Sequence, residues 1–171
     1  RLGQHPKPAL ELNNNKLFSK YGSQFTFIND APLIALAKPS ITFLLDTIIG
    51  DQRHLKISIS PNRPVNRYDI FANQNMDIKN LVANGVTAID QTSESYPRKR
   101  QKLLSYYVVD QLPLVLAFWI PKNQIFEMSL MESAFDLLQN KALHMAQRKN
   151  WMMPTPFVLN DATVIEQQIK P

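Results

Sequence analysis

The side chains able to do nucleophilic, acid-base or metal chemistry are few enough to weigh one at a time. His5 lies between Gln4 and Pro6, His54 opens an apolar alternation at Leu55, and His144 stands in Leu143-His144-Met145. None has a second His or a carboxylate two to four residues on, so neither a His-Glu-x-x-His helix nor a local zinc-ligand pair can be written. Cysteine is absent, which removes thiol nucleophiles, disulfide frameworks and Cys-ligated zinc together. No serine has the Gly-x-Ser-x-Gly setting of a nucleophile elbow. The four glycines, Gly3, Gly22, Gly50 and Gly85, stand too far apart for a phosphate-cradling loop. Glu127, Glu132 and Asp136 are close enough in sequence to meet as an acid-base pair in a cleft, but scattered acids are more often solvated. The residues therefore favour a chain without its own catalytic or metal site.

Two segments carry the types of residue that contact partners. Arg98, Lys99, Arg100 and Lys102 form the densest basic cluster, next to Tyr96, Tyr106 and Tyr107. Stacking tyrosines beside cations resemble a single-strand nucleic-acid platform. Tyr106 and Tyr107 would face opposite ways on a strand, however, and no helix-turn-helix or RNP pattern accompanies them. The cluster reads as a solvated loop available to an anionic partner surface, with no nucleic acid expected. The second segment, Trp151-Met152-Met153-Pro154 with Phe157, reads mainly as packing, with Trp151 the residue placed to meet a neighbouring domain or a peptide or lipid. The net charge of +5 is spread evenly, at +3 over residues 1–90 and +2 over residues 91–171, so it is chiefly a solubility statement.

These residues must be held by a scaffold whose pattern is mostly period two. The 171 residues suit one domain with a sizeable core. Leu55, Ile57 and Ile59 alternate with Lys56, Ser58 and Ser60, which predicts a strand with one buried and one wet face, stopped by Pro61 and Pro64. Strands are also expected at 24–28, 32–37, 41–49, 65–72, 76–82, 103–109, 114–120 and 125–131. A short helix or loop follows the last of these, and a closing strand lies within 158–169. Gly50-Asp51 and Asn84-Gly85 are the turn pairs. The whole predicts a mainly β fold, an antiparallel two-sheet β-sandwich with at most one or two short helices, as a single domain 1–171 on which residues 1–23 pack as an extended arm. The apolar run Leu112–Ile120 is about half the ~20 residues a membrane-spanning helix needs. Because the sequence starts at Arg1 with neither an initiator Met nor a leader, it is read as a piece of a longer chain.

Several short motifs occur in a familiar order: His5-Pro6-Lys7-Pro8, then Leu55-Lys56-Ile57-Ser58-Ile59-Ser60 with Pro61-Asn62-Arg63, then Leu81-Val82-Ala83-Asn84-Gly85, and finally Arg148-Lys149-Asn150-Trp151 with Pro154-Thr155-Pro156. In that order the chain resembles the C-terminal extracytoplasmic domain of membrane-bound M28-family zinc peptidases, the endoplasmic-reticulum metallopeptidase and vacuolar membrane protease type. It departs from that pattern at Pro64, where a small residue is expected, and at 35–39, which lacks an expected Trp. The resemblance implies a noncatalytic accessory domain of a membrane-anchored aminopeptidase, packing on the catalytic domain or shaping substrate access. The zinc would then belong to the parent's catalytic domain, since the residues after each histidine do not fit the family's His-x-Asp ligand motif. Its partners would be the catalytic and transmembrane parts of the same polypeptide, without direct membrane insertion. Its compartment would be the periplasm or an organelle lumen. A stand-alone extracytoplasmic module binding a peptide, glycan or protein partner is the alternative.

Overall fold

A computed structural model describes Glu11–Leu12, Phe27–Ile28 and residues 34–87, 101–153 and 161–171. The chain divides into two compact units, Arg1–Ile34 and Ala35–Pro171. In the first, β1 (Glu11–Leu12) pairs antiparallel with β2 (Phe27–Ile28). The rest of the expected arm, and most of the strand expected at 24–28, lie outside the described residues.

The second unit is mainly β, built from two antiparallel sheets. Its strands are β3 (Ser40–Ile49), β4 (Gln52–Ser60), β5 (Arg67–Ala72), β6 (Lys79–Ala83), β7 (Val86–Thr87), β8 (Lys102–Tyr107), β9 (Leu114–Pro121), β10 (Met128–Ala134) and β11 (Thr163–Ile169). One sheet runs β3-β4-β9-β6-β7 and the other β11-β10-β5-β8. Strict alternation makes this arrangement favourable. Leu55, Ile57 and Ile59 of β4 and Leu114, Leu116, Phe118 and Ile120 of β9 are fully buried and face the core. From the other sheet come Tyr68, Ile70, Met128 and Leu130, equally buried. Each such side chain contributes roughly 1.5–3 kcal/mol by leaving water.

The turns follow local backbone chemistry. Gly50 takes φ 61° at the first central position of the β3–β4 hairpin, and Asn84-Gly85, at 47° and 80°, joins β6 to β7. The Asn84 side chain also extends the sheet, accepting from the Val115 N–H at 2.7 Å and donating to the Tyr106 hydroxyl at 3.0 Å. At the β8–β9 corner Asp110 and Gln111 are both left-handed, at 51° and 57°, without a glycine between them. The reason lies in the Gln111 side chain. Its Oε1 accepts the Val65 N–H at 2.8 Å and its Nε2 donates to the Val65 carbonyl at 3.0 Å, imitating a ladder pair. Gln111→Ala should therefore cost about 2 kcal/mol, because it orphans buried backbone groups. Gln111→Gly should cost only about half that, because it relieves the left-handed strain. Urea midpoints that placed the Gly variant below the Ala variant would refute this account.

Some expected elements shift. Residues 34–37 form no strand; the Lys38 carbonyl just beyond them accepts from the Asn62 amide at 2.7 Å. Val65 and Asn66 precede β5 because their backbone groups pair with Gln111, Ser133 and Val108 in the crossing between sheets. Met76–Ile78 and Ile125–Glu127 are likewise irregular connections. The only helical turn among the described residues is a 3-10 turn at Lys141–Leu143, capped by Asn140.

Candidate functional site

Four places in the sandwich gather polar or exposed apolar side chains, and their surroundings determine what each can do. The first is the crossing from β4 to β5. Two prolines, Pro61 and Pro64, end the ladder and turn Arg63 inward, where its Nε donates to Glu132 Oε1 at 2.7 Å and its Nη1 to Thr163 Oγ1 at 2.6 Å. Asp136 lies 3.6 Å from the same guanidinium and accepts the Thr163 hydroxyl at 2.6 Å. Glu132 is fully buried, and burial raises its pKa against the lowering influence of Arg63. Its Oε2 and the Tyr68 hydroxyl, on the strand residue opposite, have no hydrogen-bond partner among the described residues. Burial, followed by the charge of Glu132, raises the Tyr68 pKa as well. Enclosed in this way, the carboxylate ties loop, β10 and β11 together and has no access to a substrate. Because the Tyr68 hydroxyl is desolvated without compensation, Tyr68→Phe should leave stability unchanged or raise it by about 1 kcal/mol. A clear fall in melting temperature would show that the hydroxyl is satisfied.

The second place is the outer face of the four-stranded sheet, where Asp69 accepts from Arg67 at 2.6 Å, Lys102 at 3.1 Å and the Ser105 hydroxyl. Burial pushes the Asp69 carboxyl up, but these three partners outweigh it and hold it below its ordinary value. Lys102, an expected contact residue, is thereby occupied by Asp69 and lies 5.6 Å from the Phe71 ring. Arg98, Lys99 and Arg100 lie outside the described residues. Tyr106 and Tyr107 do face opposite ways. Tyr106 meets Asn84, and Tyr107 is exposed beneath the Arg67 guanidinium, 5.5 Å from its ring.

The third is a cleft of about 290 Å³ lined by Asn73, Asn75, Met76, Gln124, Ile125 and Glu127. Its amides are largely engaged in joining two sheet crossings. Asn73 donates to Glu127 and accepts the Asn75 N–H at 2.9 Å, while Gln124 Oε1 accepts the Asp77 N–H at 2.8 Å. Glu127 therefore belongs to the cleft and Glu132 with Asp136 to the buried cluster, so the structure divides the three acids between two places.

The fourth is apolar. β3 is an edge strand of ten residues, and Leu44, Leu45, Ile48 and Ile49 are exposed along it, Ile48 by 61%. Its one charge, Asp46, is neutralised by two hydrogen bonds from Arg53 at 2.6 and 2.7 Å, which also lower the Asp46 pKa. A register shift between Phe43 and Leu45 is its only edge-protecting irregularity; β3 has neither Lys nor Pro. Trp151, expected mainly to pack, is instead 74% exposed, and Met153 86%. The cause is local. A turn closed by the Met152 N–H on the Lys149 carbonyl, at 2.8 Å, holds Trp151 at its corner. Trp119, by contrast, is half-buried and stacked on His54 with ring centres 4.3 Å apart.

Together these define a two-sheet antiparallel sandwich whose buried polar groups pair with one another at a crossing and on β5. Its exposed apolar residues include a group along the β3 edge and another at the Trp151 turn, with Val86, Val109, Leu112, Ile125 and Val164 exposed elsewhere. Comparisons with family models, with curated proteins and with solved structures found no match to this chain.

Proposed function

We propose that this sandwich is a noncatalytic accessory domain of a membrane-anchored M28-like zinc metallopeptidase, docking on the catalytic part of the same polypeptide through the β3 edge. The observation that carries the docking is the set of exposed aliphatic side chains Leu44, Leu45, Ile48 and Ile49 on an edge strand that holds neither Lys nor Pro. Edges of that length and composition invite another chain to pair with them or cover them. The ordered sequence motifs are what supports a peptidase parent, and on that reading zinc, the transmembrane spans and a periplasmic or lumenal setting belong to the rest of the polypeptide. The gene upstream of Arg1 provides the first test. It should encode membrane-spanning segments and a His-x-Asp ligand motif, and the reading is lost if it encodes neither. In the complete protein, Ile48→Asp should then make the sandwich separable by limited proteolysis and lower peptidase activity. The melting temperature of the isolated sandwich should stay unchanged.

A second reading, a stand-alone module for a peptide, glycan or protein, draws support from the cleft at Asn73 and Gln124, where Gln124 Nε2 has no hydrogen-bond partner among the described residues and could donate to a ligand. It predicts a raised melting temperature with peptides or glycans in large excess.

A further inference from the structure

Residues 137–160 contain no Asp or Glu, yet hold Lys141, Arg148 and Lys149 beside the exposed Trp151, Met153 and Met145. Within them the described residues have little regular structure. The 3-10 turn at Lys141–Leu143 ends on a left-handed His144, and Gln147 Nε2 donates to the Leu138 carbonyl at 2.7 Å. Arg148 is anchored to Asp161, which fixes the segment to the chain just before β11. From that base the Lys149–Met152 turn projects Trp151, with the Lys149 ammonium 6.0 Å from the indole ring.

From this arrangement we infer that the Trp151 turn seats on an anionic lipid surface. An indole at a turn's corner places its apolar body among acyl chains and its N–H at the headgroup level. Lysine beside it reaches the phosphates while its stem lies along the apolar layer. Charge complementarity selects the occupant. Among the described residues 137–153 the charged side chains are all positive. The neighbouring Asp161 is spent on Arg148, and Asp136, at the start of the segment, faces the Arg63 guanidinium at 3.6 Å, so the turn presents a net positive charge to a negative surface. Protein interface cores, by contrast, are depleted in lysine, whereas here the exposed Trp151 and Met153 directly follow the cations Arg148 and Lys149. Contact of this kind is peripheral and involves no insertion of a spanning element. It rests on the described residues 137–153 and Asp161, so it stands or falls separately from docking through β3.

The test is co-sedimentation of the full 171-residue chain with vesicles of equal parts phosphatidylglycerol and phosphatidylcholine, against phosphatidylcholine alone. Binding should favour the anionic vesicles by at least about tenfold. Trp151→Ala should weaken it about tenfold and Lys149→Gln about fivefold. Both variants should melt with the parent, since both side chains are exposed. The inference is overturned if the anionic vesicles are not preferred. It is equally overturned if Trp151→Ala leaves binding unchanged, which would assign the attraction to the diffuse charge of the chain. Vesicle-free self-association that Trp151→Ala abolishes would make the turn a contact between copies, and would also overturn it.

Discussion

Arg63→Ala should destabilise the sandwich by about 3–5 kcal/mol at neutral pH, because it leaves Glu132 as an uncompensated charge in the core. The guanidinium is the partner of Glu132 Oε1, and the other oxygen already lacks one. The loss should depend on pH with a definite sign. Burial already raises the Glu132 pKa, and removing Arg63 takes away the influence that lowers it. A carboxyl whose folded pKa lies above its unfolded value weakens the fold as pH rises through the interval between the two, and the weakening is complete above the folded value. The variant's deficit should therefore narrow as pH falls from about 7 to about 5. The parent carries an opposing contribution from Asp69, whose folded pKa is depressed. Its stabilisation is present above the ordinary aspartate value and is lost as pH falls through the folded one. Urea unfolding of parent and variant at the two pH values measures the difference. Replacing the pair together, Arg63→Met with Glu132→Gln, should recover much of the loss, since neither charge is then buried alone. An equal deficit at both pH values, with no recovery in the double variant, would remove the ion pair from the account.

How far the sequence discloses this molecule depends on whether a feature is local. The Leu55-Ile57-Ile59 alternation, the Pro61 stop and the Gly50 and Asn84-Gly85 turns are read within a few residues, and the strands they imply are present. Strand ends were less legible. Val65-Asn66 and Met76–Ile78 have strand-like composition, but their backbone groups are claimed by residues elsewhere in the sheet crossings. The Arg63–Glu132 pair joins positions 69 apart in sequence. Its members each look like ordinary surface charge, and an arginine between two prolines before a buried strand was the only available signal. Gln111 carries no local signal, because its left-handed turn contains neither Gly nor Asn and its compensation lies in Val65, 46 residues away. Trp151 departs from its composition for the opposite reason. Composition makes Trp-Met-Met look like core, whereas the tight turn at Lys149 directs the indole to solvent.

Phe118→Ala should cost about 3–5 kcal/mol, a large share of the roughly 5–15 kcal/mol that holds a domain together. Phe118 is fully buried on β9, the central strand of its sheet, opposite Leu55 of β4. Its ring fills space between two sheets that cannot close over the void without moving the ladders on either side, so a cavity term adds to the lost transfer energy. The comparison that makes this informative is Leu45→Ala on β3 of the same sheet. Leu45 is exposed, and its loss should change stability by less than about 0.5 kcal/mol. If β3 is the docking edge, the two variants separate fold from function. Leu45→Ala would weaken association with the rest of the polypeptide while melting normally. Phe118→Ala would lower the melting temperature of the isolated sandwich and disturb docking only through β4, on which β3 depends for its register. Calorimetry on both isolated variants, with limited proteolysis of the complete protein carrying each, distinguishes the cases. A Leu45 variant that melts as low as the Phe118 variant would mean that β3 belongs to the core, and that its exposed side chains are not free to meet a partner.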